Sequence, residues 1–439
     1  MRIIKNIMVI TSLVVSPIMS WGQSPQVRKM NIENMFDMAE SNSRNIHVSD
    51  MAEKEAEQAV KVARNAKLPA IDASLSGSFL GNGWIADRDF SNGQKAAIPH
   101  WGNNFALEAS QVIYAGGAIS SSIEIAKLQY QSARLDKEKN RQDVRFLLVG
   151  NYLEMYKLYN QKEVYLKNIE QTEKLLSDIK AKQAEGLALK NDITRYELEL
   201  KSLELALTQV ENSIIIINNQ LVTILHLPPE TIIEIDTSLL DNLPAAQNNS
   251  DWQDIAENSL PSLQQAKIGI EQSKKSETLV KSERLPSVAL FAANHFDGPI
   301  IIEVPPINKN MNYWYMGVSI KFNLASIYKS DKKEKLAKLS TQKAIESELL
   351  LKENIQTDVK AAHIRFIESF TIYDTQMKSL ELATQNYNTV NNRYLNDLAL
   401  ITDMLDASNS KLSAELQVAN ARINILFNYY RLKKAAGDL

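Results

Sequence analysis

Leu187-Ala188-Leu189-Lys190-Asn191-Asp192 has a counterpart 211 positions downstream: Leu398-Ala399-Leu400 repeats its first three residues, and Asp403 stands where Asp192 stood. Upstream lies a second pair of anchors. Ala39-Glu40 and Ala256-Glu257 each open a helical stretch, the stretches end at Leu68-Pro69 and Leu285-Pro286, and both pairs lie 217 positions apart. Matched anchors at a near-constant offset mark an internal duplication. The offset shrinks by six residues between the two anchor sets, and the segments after each Leu-Pro are the expected place for the difference. The repeats span 23–227 and 250–439. A connector over 228–249 joins them, rich in the Pro, Asn and Asp of irregular segments.

Around the quoted stretch the chain reads as very long helix. No proline occurs between Pro99 and Pro228 or after Pro306, and only Gly150 and Gly186 interrupt the stretch from Gly117 to Pro228. Helix is therefore permitted throughout. Ile193, Tyr196, Leu200, Leu203, Leu207, Val210, Ile214, Ile217, Leu221 and Ile224 advance by alternating threes and fours. Leu398, Ile401, Leu405, Leu412, Leu416, Ala419, Ile423, Leu426 and Tyr430 form a looser version in the second repeat. Such a seam predicts helices packed side by side as in coiled coils. The preceding limbs, 118–183 and 325–393, would each run about 100 Å at ~1.5 Å per residue, far more than a compact domain needs. A tunnel or stalk follows from that length.

The period changes near 70–80, 103–114, 287–296 and 312–324. In Ile71-Asp72-Ala73-Ser74-Leu75-Ser76-Gly77-Ser78-Phe79 the odd positions are apolar or glycine and the even ones polar. Trp314, Met316, Val318, Ile320, Phe322 and Leu324 share one face of the last segment. This alternation fits a membrane strand with one lipid face and one wet face, and equally a half-buried strand of a soluble sheet. Aromatic residues near the segment ends (Phe79, Trp84, Trp101, Tyr313, Trp314, Tyr315) favour the membrane, where interfacial girdles sit. Four strands cannot close a barrel, and an open edge in lipid leaves backbone groups unpaired. Three chains would supply twelve strands. The expected fold is mainly α with membrane β: internally duplicated, with long packed helices and four strands per chain that three copies would close into a twelve-stranded β-barrel.

The N-terminus reads as a secretory signal over 1–22, with Arg2 and Lys5, an apolar run from Ile7 to Val15, and Ser20-Trp21-Gly22 before a cleavage at Gln23. The chain has no cysteine, which removes disulfides, thiolate metal sites, Cys nucleophiles and N-terminal lipid attachment through Cys. A formal net charge of −3 gives no reason to expect nucleic acid. His47, His100, His226, His295 and His363 are scattered without metal-ligand spacing. No phosphate-cradling glycine loop or nucleophile elbow occurs, and Gly81-Asn82-Gly83 is a loop signal. No catalytic residue, cofactor or metal is expected.

In order and spacing, these segments resemble the TolC-type outer-membrane efflux family over nearly the whole mature chain. Met35-Phe36-Asp37-Met38-Ala39-Glu40-Ser41-Asn42 resembles its opening helix. Ala66-Lys67-Leu68-Pro69 and Glu283-Arg284-Leu285-Pro286 resemble its helix-to-strand entries, and Tyr114-Ala115-Gly116-Gly117 its strand-to-helix turn. Tyr394 through Gly437, with Ile401-Thr402-Asp403-Met404-Leu405-Asp406-Ala407 at its heart, is the strongest local match. The resemblance implies a homotrimer whose twelve-stranded β-barrel sits in the outer membrane and whose long α-helical barrel extends into the periplasm. It would be a passive conduit for efflux or secretion, docked onto a periplasmic adaptor (membrane fusion protein) and an inner-membrane pump. A periplasmic coiled-coil adaptor or scaffold is the alternative.

The resemblance also carries the family's periplasmic gate onto Asp192, Tyr394, Asp403 and Asp406. Capping of helix N-termini competes with that role at Asp192 and Asp403, and packing competes at Tyr394. Asp403 and Asp406, three apart on one helical face, would place six carboxylates around a threefold aperture. The chain departs from the family at Ala399, where a basic gate residue is common, and at Asp397, where glycine is common. Leu187, Ala188, Leu189 and Leu398, Ala399, Leu400 are expected at the two hairpin tips as an adaptor-docking surface, with turn packing as the competing role.

Overall fold

The computed structural model describes residues 27–236, 243–245, 251–303, 305–396 and 398–439. The expected signal segment and Asp397 lie outside these residues, as does much of the expected connector. The elements in chain order are β1 (Val27–Met30), α1 (Ile32–Asn42), α2 (Arg44–Arg64), β2 (Ala70–Phe79), β3 (Gly83–Ile85), β4 (Gln94–Ala96), β5 (Trp101–Ala115), α3 (Ala118–Ala184), α4 (Lys190–Ile224), β6 (Ile232–Ile235), α5 (Asp251–Ser259), α6 (Pro261–Ser282), β7 (Ser287–Gly298), β8 (Met311–Lys321), α7 (Ser326–Leu395) and α8 (Ile401–Ala436).

The succession helix, two strands, long helix, shorter helix occurs twice. α3 has 67 residues and α7 has 70, about 100 Å each at ~1.5 Å per residue. The 217-residue offset holds at the starts of β2 and β7 and has fallen to 208 at the starts of α3 and α7. The difference lies in the strand connections, where the β3–β4 ribbon lengthens the first hairpin. That ribbon gave no alternating signal, and its two strands have only three residues each.

The helices form one layer. α3 packs against α2 and α6 near the strands and against α4 and α8 further away, and α7 packs against α6 and then α8. Cross-helix contacts mark the register: Lys137–Asp50 at 2.7 Å joins α3 to α2, Lys162–Glu211 at 2.8 Å joins α3 to α4, and Asn168 donates to Glu415 of α8 at 3.2 Å. The main core lies at the waist, where Met35, Leu148, Tyr152, Met155, Leu221 and Ile233 are fully buried. There β1 and β6 pair in parallel, and the Tyr152 hydroxyl donates to the Asp236 carbonyl. β6 sits inside the stretch expected as an irregular connector. Its four residues, Ile-Ile-Glu-Ile, are held because Ile233 and Ile235 enter the waist core.

At the far end β2, β5, β7 and β8 form one antiparallel sheet in that order, with β2 and β8 at its edges. The last strand stops at Lys321, so Phe322 and Leu324 lie beyond it. The turn from β5 into α3 needs Gly116 and Gly117, at φ of 60° and 87°. A Cβ on Gly116 would come within 2.8 Å of the Leu285 side chain, which couples this turn to the second helix-to-strand entry.

Candidate functional site

The register of the sheet sorts its residues onto two faces. Ile71↔Ala109, Ala73↔Leu107 and Leu75↔Phe105 pair across β2 and β5, and Leu290↔Val318 and Ala292↔Met316 across β7 and β8. With Trp314 and Ile320 these make an apolar face, and Leu75, Trp314, Met316, Val318 and Ile320 are all exposed. The other face carries Asp72, Ser74, Ser76, Glu108, Asn104, His295, Asp297, Tyr313 and Tyr315. His295 stacks beside two tyrosines, its ring centroid 5.3 Å from that of Tyr313 and 5.7 Å from that of Tyr315, which are 6.3 Å from each other. Tyr313 donates to Asp297 at 3.1 Å, and Asn104 to the same carboxylate at 2.5 Å. On the same face Phe291 covers Gly317, whose missing side chain leaves room for the ring: a Cβ there would meet it at 2.9 Å. One side of the sheet suits lipid and the other water.

At the opposite end, the long helices α3 and α7 stop at two short turns. After α3, Gly186 at φ 80° lets Leu187 donate back to the Lys182 carbonyl at 2.8 Å. After α7, Leu398 donates to the Arg393 carbonyl at 2.8 Å. The helices that follow start alike: the Leu189 N–H donates to Asp192 Oδ2 at 3.0 Å, and the Leu400 N–H to Asp403 Oδ2 at 3.1 Å. Each aspartate also sits in the first turn, where its charge complements the helix dipole. The two expected gate positions thus have a local structural role.

Asp406, one turn further along α8, is exposed and makes no hydrogen bond or ion pair with a described residue. It lines an open groove of about 620 Å³ with Ser379 of α7 and Asn409 and Ser413 of α8. Tyr394 packs with Ala188, Ile193, Ile401 and Leu405 around buried Leu176, Ile179 and Tyr196, so one cluster joins both hairpins. The Lys182 ammonium stands over the Tyr394 ring, 5.1 Å from its centroid. The Tyr196 hydroxyl is buried without a hydrogen-bond partner, and burial pushes its pKa above the ordinary tyrosine value.

The tip leucines stand outward: Leu187 is 66% exposed, Leu189 70%, Leu398 67% and Leu400 70%. Ala188 and Ala399 are half-buried between them. Sequence reasoning missed Lys182, Tyr196 and Arg393 as tip residues. Tyr196 was visible as a seam position but not as a tyrosine facing Tyr394. Arg393 donates to the Leu398 carbonyl at 3.2 Å, which puts a cation at the turn whose expected basic residue is replaced by Ala399.

Among the described residues no helix is long and apolar enough to cross a membrane. The Outer membrane efflux protein family model matches residues 35–225. No curated protein matches the chain in sequence. Solved structures share the fold, among them three outer membrane proteins. The outer membrane protein VceC from Vibrio cholerae aligns at a TM-score of 0.75 with 15% identity, over 92% of this chain and 96% of its own. The CmeC outer membrane channel of Campylobacter jejuni aligns at 0.75 with 16% identity, over 93% and 85%. The open-state MtrE outer membrane channel of Neisseria gonorrhoeae aligns at 0.73 with 19% identity, over 92% and 88%. The Outer membrane efflux protein pattern thus covers the first repeat, and the fold shared with solved outer membrane channels covers both.

Proposed function

We propose that three copies of this chain close into a passive conduit from the periplasm to the exterior, with a periplasmic adaptor and an inner-membrane pump at its helical tips. The observation that carries this reading is the four-stranded sheet, apolar on one face, polar on the other and open at β2 and β8. Each unpaired backbone group at such an edge would cost several kcal/mol in lipid. Pairing β8 of one copy with β2 of the next removes every edge and yields twelve strands. The helical layer has the same open form, since α7 lies at one side and carries exposed Leu336, Leu339, Leu349 and Leu350. A neighbouring copy would cover them. Energy for transport would come from the pump, the conduit itself using no cofactor.

At the tips, the four exposed leucines form the adaptor-docking surface, with Ala188 and Ala399 setting the turns that present them. The cluster around Tyr196 and Tyr394 holds the two hairpins together and keeps the entrance narrow. Asp406, repeated by the threefold axis and reinforced by Asp403 and Asp192, makes the entrance cation-selective.

The test is the mass of the detergent-extracted protein by light scattering, with the detergent contribution subtracted. A particle of three mature chains supports the conduit. A monomer or dimer released by salt or urea without detergent would favour the scaffold alternative.

A further inference from the structure

The four places where helix meets strand carry an excess of cations. Segments 57–67, 120–127, 271–284 and 326–338 hold thirteen lysines and arginines against seven carboxylates, in a chain whose formal net charge is −3. At the other end of the sheet, the hairpin connections 80–100 and 299–310 hold three of each. Near the helices the carboxylates are already engaged: Glu57 with Lys61 at 3.0 Å, Glu124 with Lys127 at 2.7 Å, Glu283 with Lys333 at 2.6 Å, and Asp331 and Glu334 with Arg284 at 3.0 and 2.9 Å. Arg64, Lys67, Lys275, Lys332 and Lys335 form no ion pair with a described residue.

Part of this excess lines a cavity of about 330 Å³ between the end of α2 and the start of α3, formed by Arg64, Lys67, Ser120, Ile123, Glu124 and Lys127. Three cations there face one carboxylate. Glu124 is held below its usual range by its bond to Lys127, with Lys275 and Lys67 adding to the effect. The first turn of α3 contributes the positive end of a 67-residue helix. Lys67 lies three residues before β2 and Ser120 five after β5, so the cavity sits at the level where the strands leave the hydrocarbon. Exposed Leu68, Leu324 and Tyr328 occupy the same level. Apolar side chains beside unpaired long cations form an interfacial profile, in which the stems lie along lipid and the charges meet phosphates.

We propose that this cavity binds the phosphate of an anionic phospholipid headgroup in the periplasm-facing leaflet of the outer membrane. The proposal rests on the conduit reading, which sets the level of the membrane. A free phosphate ion is also an anion with oxygen acceptors, but it would make no use of exposed Leu68, next in the chain to Lys67, and a lipid would.

Native mass spectrometry of the detergent-solubilised protein tests this, with phosphatidylglycerol or phosphatidylcholine supplied in turn. The wild type should retain phosphatidylglycerol over phosphatidylcholine by about tenfold or more. The triple variant Arg64→Gln/Lys67→Gln/Lys127→Gln should lose most of that preference, while Lys95→Gln/Lys309→Gln at the other end keeps it. Equal retention of the two lipids by the wild type, or an unchanged preference in the triple variant, overturns the site. Retention of inorganic phosphate in place of lipid overturns the headgroup assignment. The same spectrum reads the oligomer: a trimer without lipid preference removes this site alone, and a particle that is not a trimer removes the conduit reading as well.

Discussion

Asp403 accepts the backbone N–H of Leu400 through Oδ2 at 3.1 Å, and this contact separates two carboxylates that look equivalent in sequence. Asp403 closes the start of α8, as Asp192 does for α4 with Leu189 at 3.0 Å. Asp406 is exposed and makes no such bond. Asp406→Asn should therefore lower cation selectivity, read as a shifted reversal potential across a bilayer in a salt gradient, and leave hydrogen exchange at 401–406 unchanged. Asp403→Ala should fray that turn, at a cost of about 0.5–2 kcal/mol. Equal loss of selectivity in both variants without fraying would mean that Asp403 matches Asp406 as a pore charge and contributes nothing as a cap.

Tyr394 and Lys182 make a second separable pair. Their cation–π contact bridges the end of α7 and the end of α3, and contacts of this kind contribute about 0.5–1 kcal/mol at exposed sites. Tyr394→Ala also removes packing on Tyr196. If the cluster narrows the entrance, the variant's single-channel conductance should rise several-fold, and Lys182→Met should raise it less. A Tyr394→Ala conductance equal to that of the wild type would reduce the cluster to simple packing.

The long helices and the strand faces were legible because both are written as periods: the heptad seam from Ile193 to Ile224 lies within α4, and the alternation from Ile71 to Phe79 lies within β2. The tips were legible as turns only, because Leu187-Ala188-Leu189 marks a break without saying what meets across it. The contacts of Tyr394 with residues about two hundred positions away depend on how the hairpins pack, and no local pattern encodes that. For the same reason β6 escaped notice: four residues are too few for a period, and its strand exists because the waist core receives Ile233 and Ile235.

The docking surface can be tested without touching the pore. Leu189→Glu with Leu400→Glu replaces two outward side chains that make little contact within the chain, so the folding cost should stay within about 0.5 kcal/mol. Crosslinking to the adaptor in membranes, and efflux with it, should fall at least tenfold while bilayer conductance stays at the wild-type level. Full efflux in this variant would move the docking surface away from the tips.

The two faces of the sheet give a depth-dependent prediction. Met316 lies at the middle of β8 on the apolar face, paired with Ala292, and Ser74 lies at the middle of β2 on the polar face, paired with Ala106. Met316→Arg should destabilise the folded barrel by about 2–4 kcal/mol, as arginine does near the bilayer midplane. Ser74→Arg should cost far less and should alter conductance. Urea unfolding from lipid vesicles measures the first effect, and the opposite ranking would reverse the assignment of lipid and wet faces.

Buried tyrosines outside the sheet shape the behaviour at alkaline pH, and three of them are raised furthest. Burial pushes Tyr430 up to about 12, and raises Tyr152 and Tyr196 as well. Each is neutral in the folded state at a pH where an unfolded tyrosine, at its ordinary value of 10.0, would already ionise. Their contribution to stability is therefore complete below about pH 10 and is lost as pH rises through 10 toward 12. The hydroxyl partners then separate the sites. Tyr152 donates to the Asp236 carbonyl, so Tyr152→Phe should cost about 0.5–1.5 kcal/mol at pH 8. The Tyr196 hydroxyl is buried without a partner, so Tyr196→Phe removes an unsatisfied group and should be neutral or stabilising at pH 8. It should also soften the alkaline loss, because phenylalanine cannot ionise. Thermal unfolding of the solubilised protein at pH 8 and 10.5 measures both effects, and destabilisation of Tyr196→Phe at pH 8 would show that its hydroxyl finds a partner in the assembled trimer.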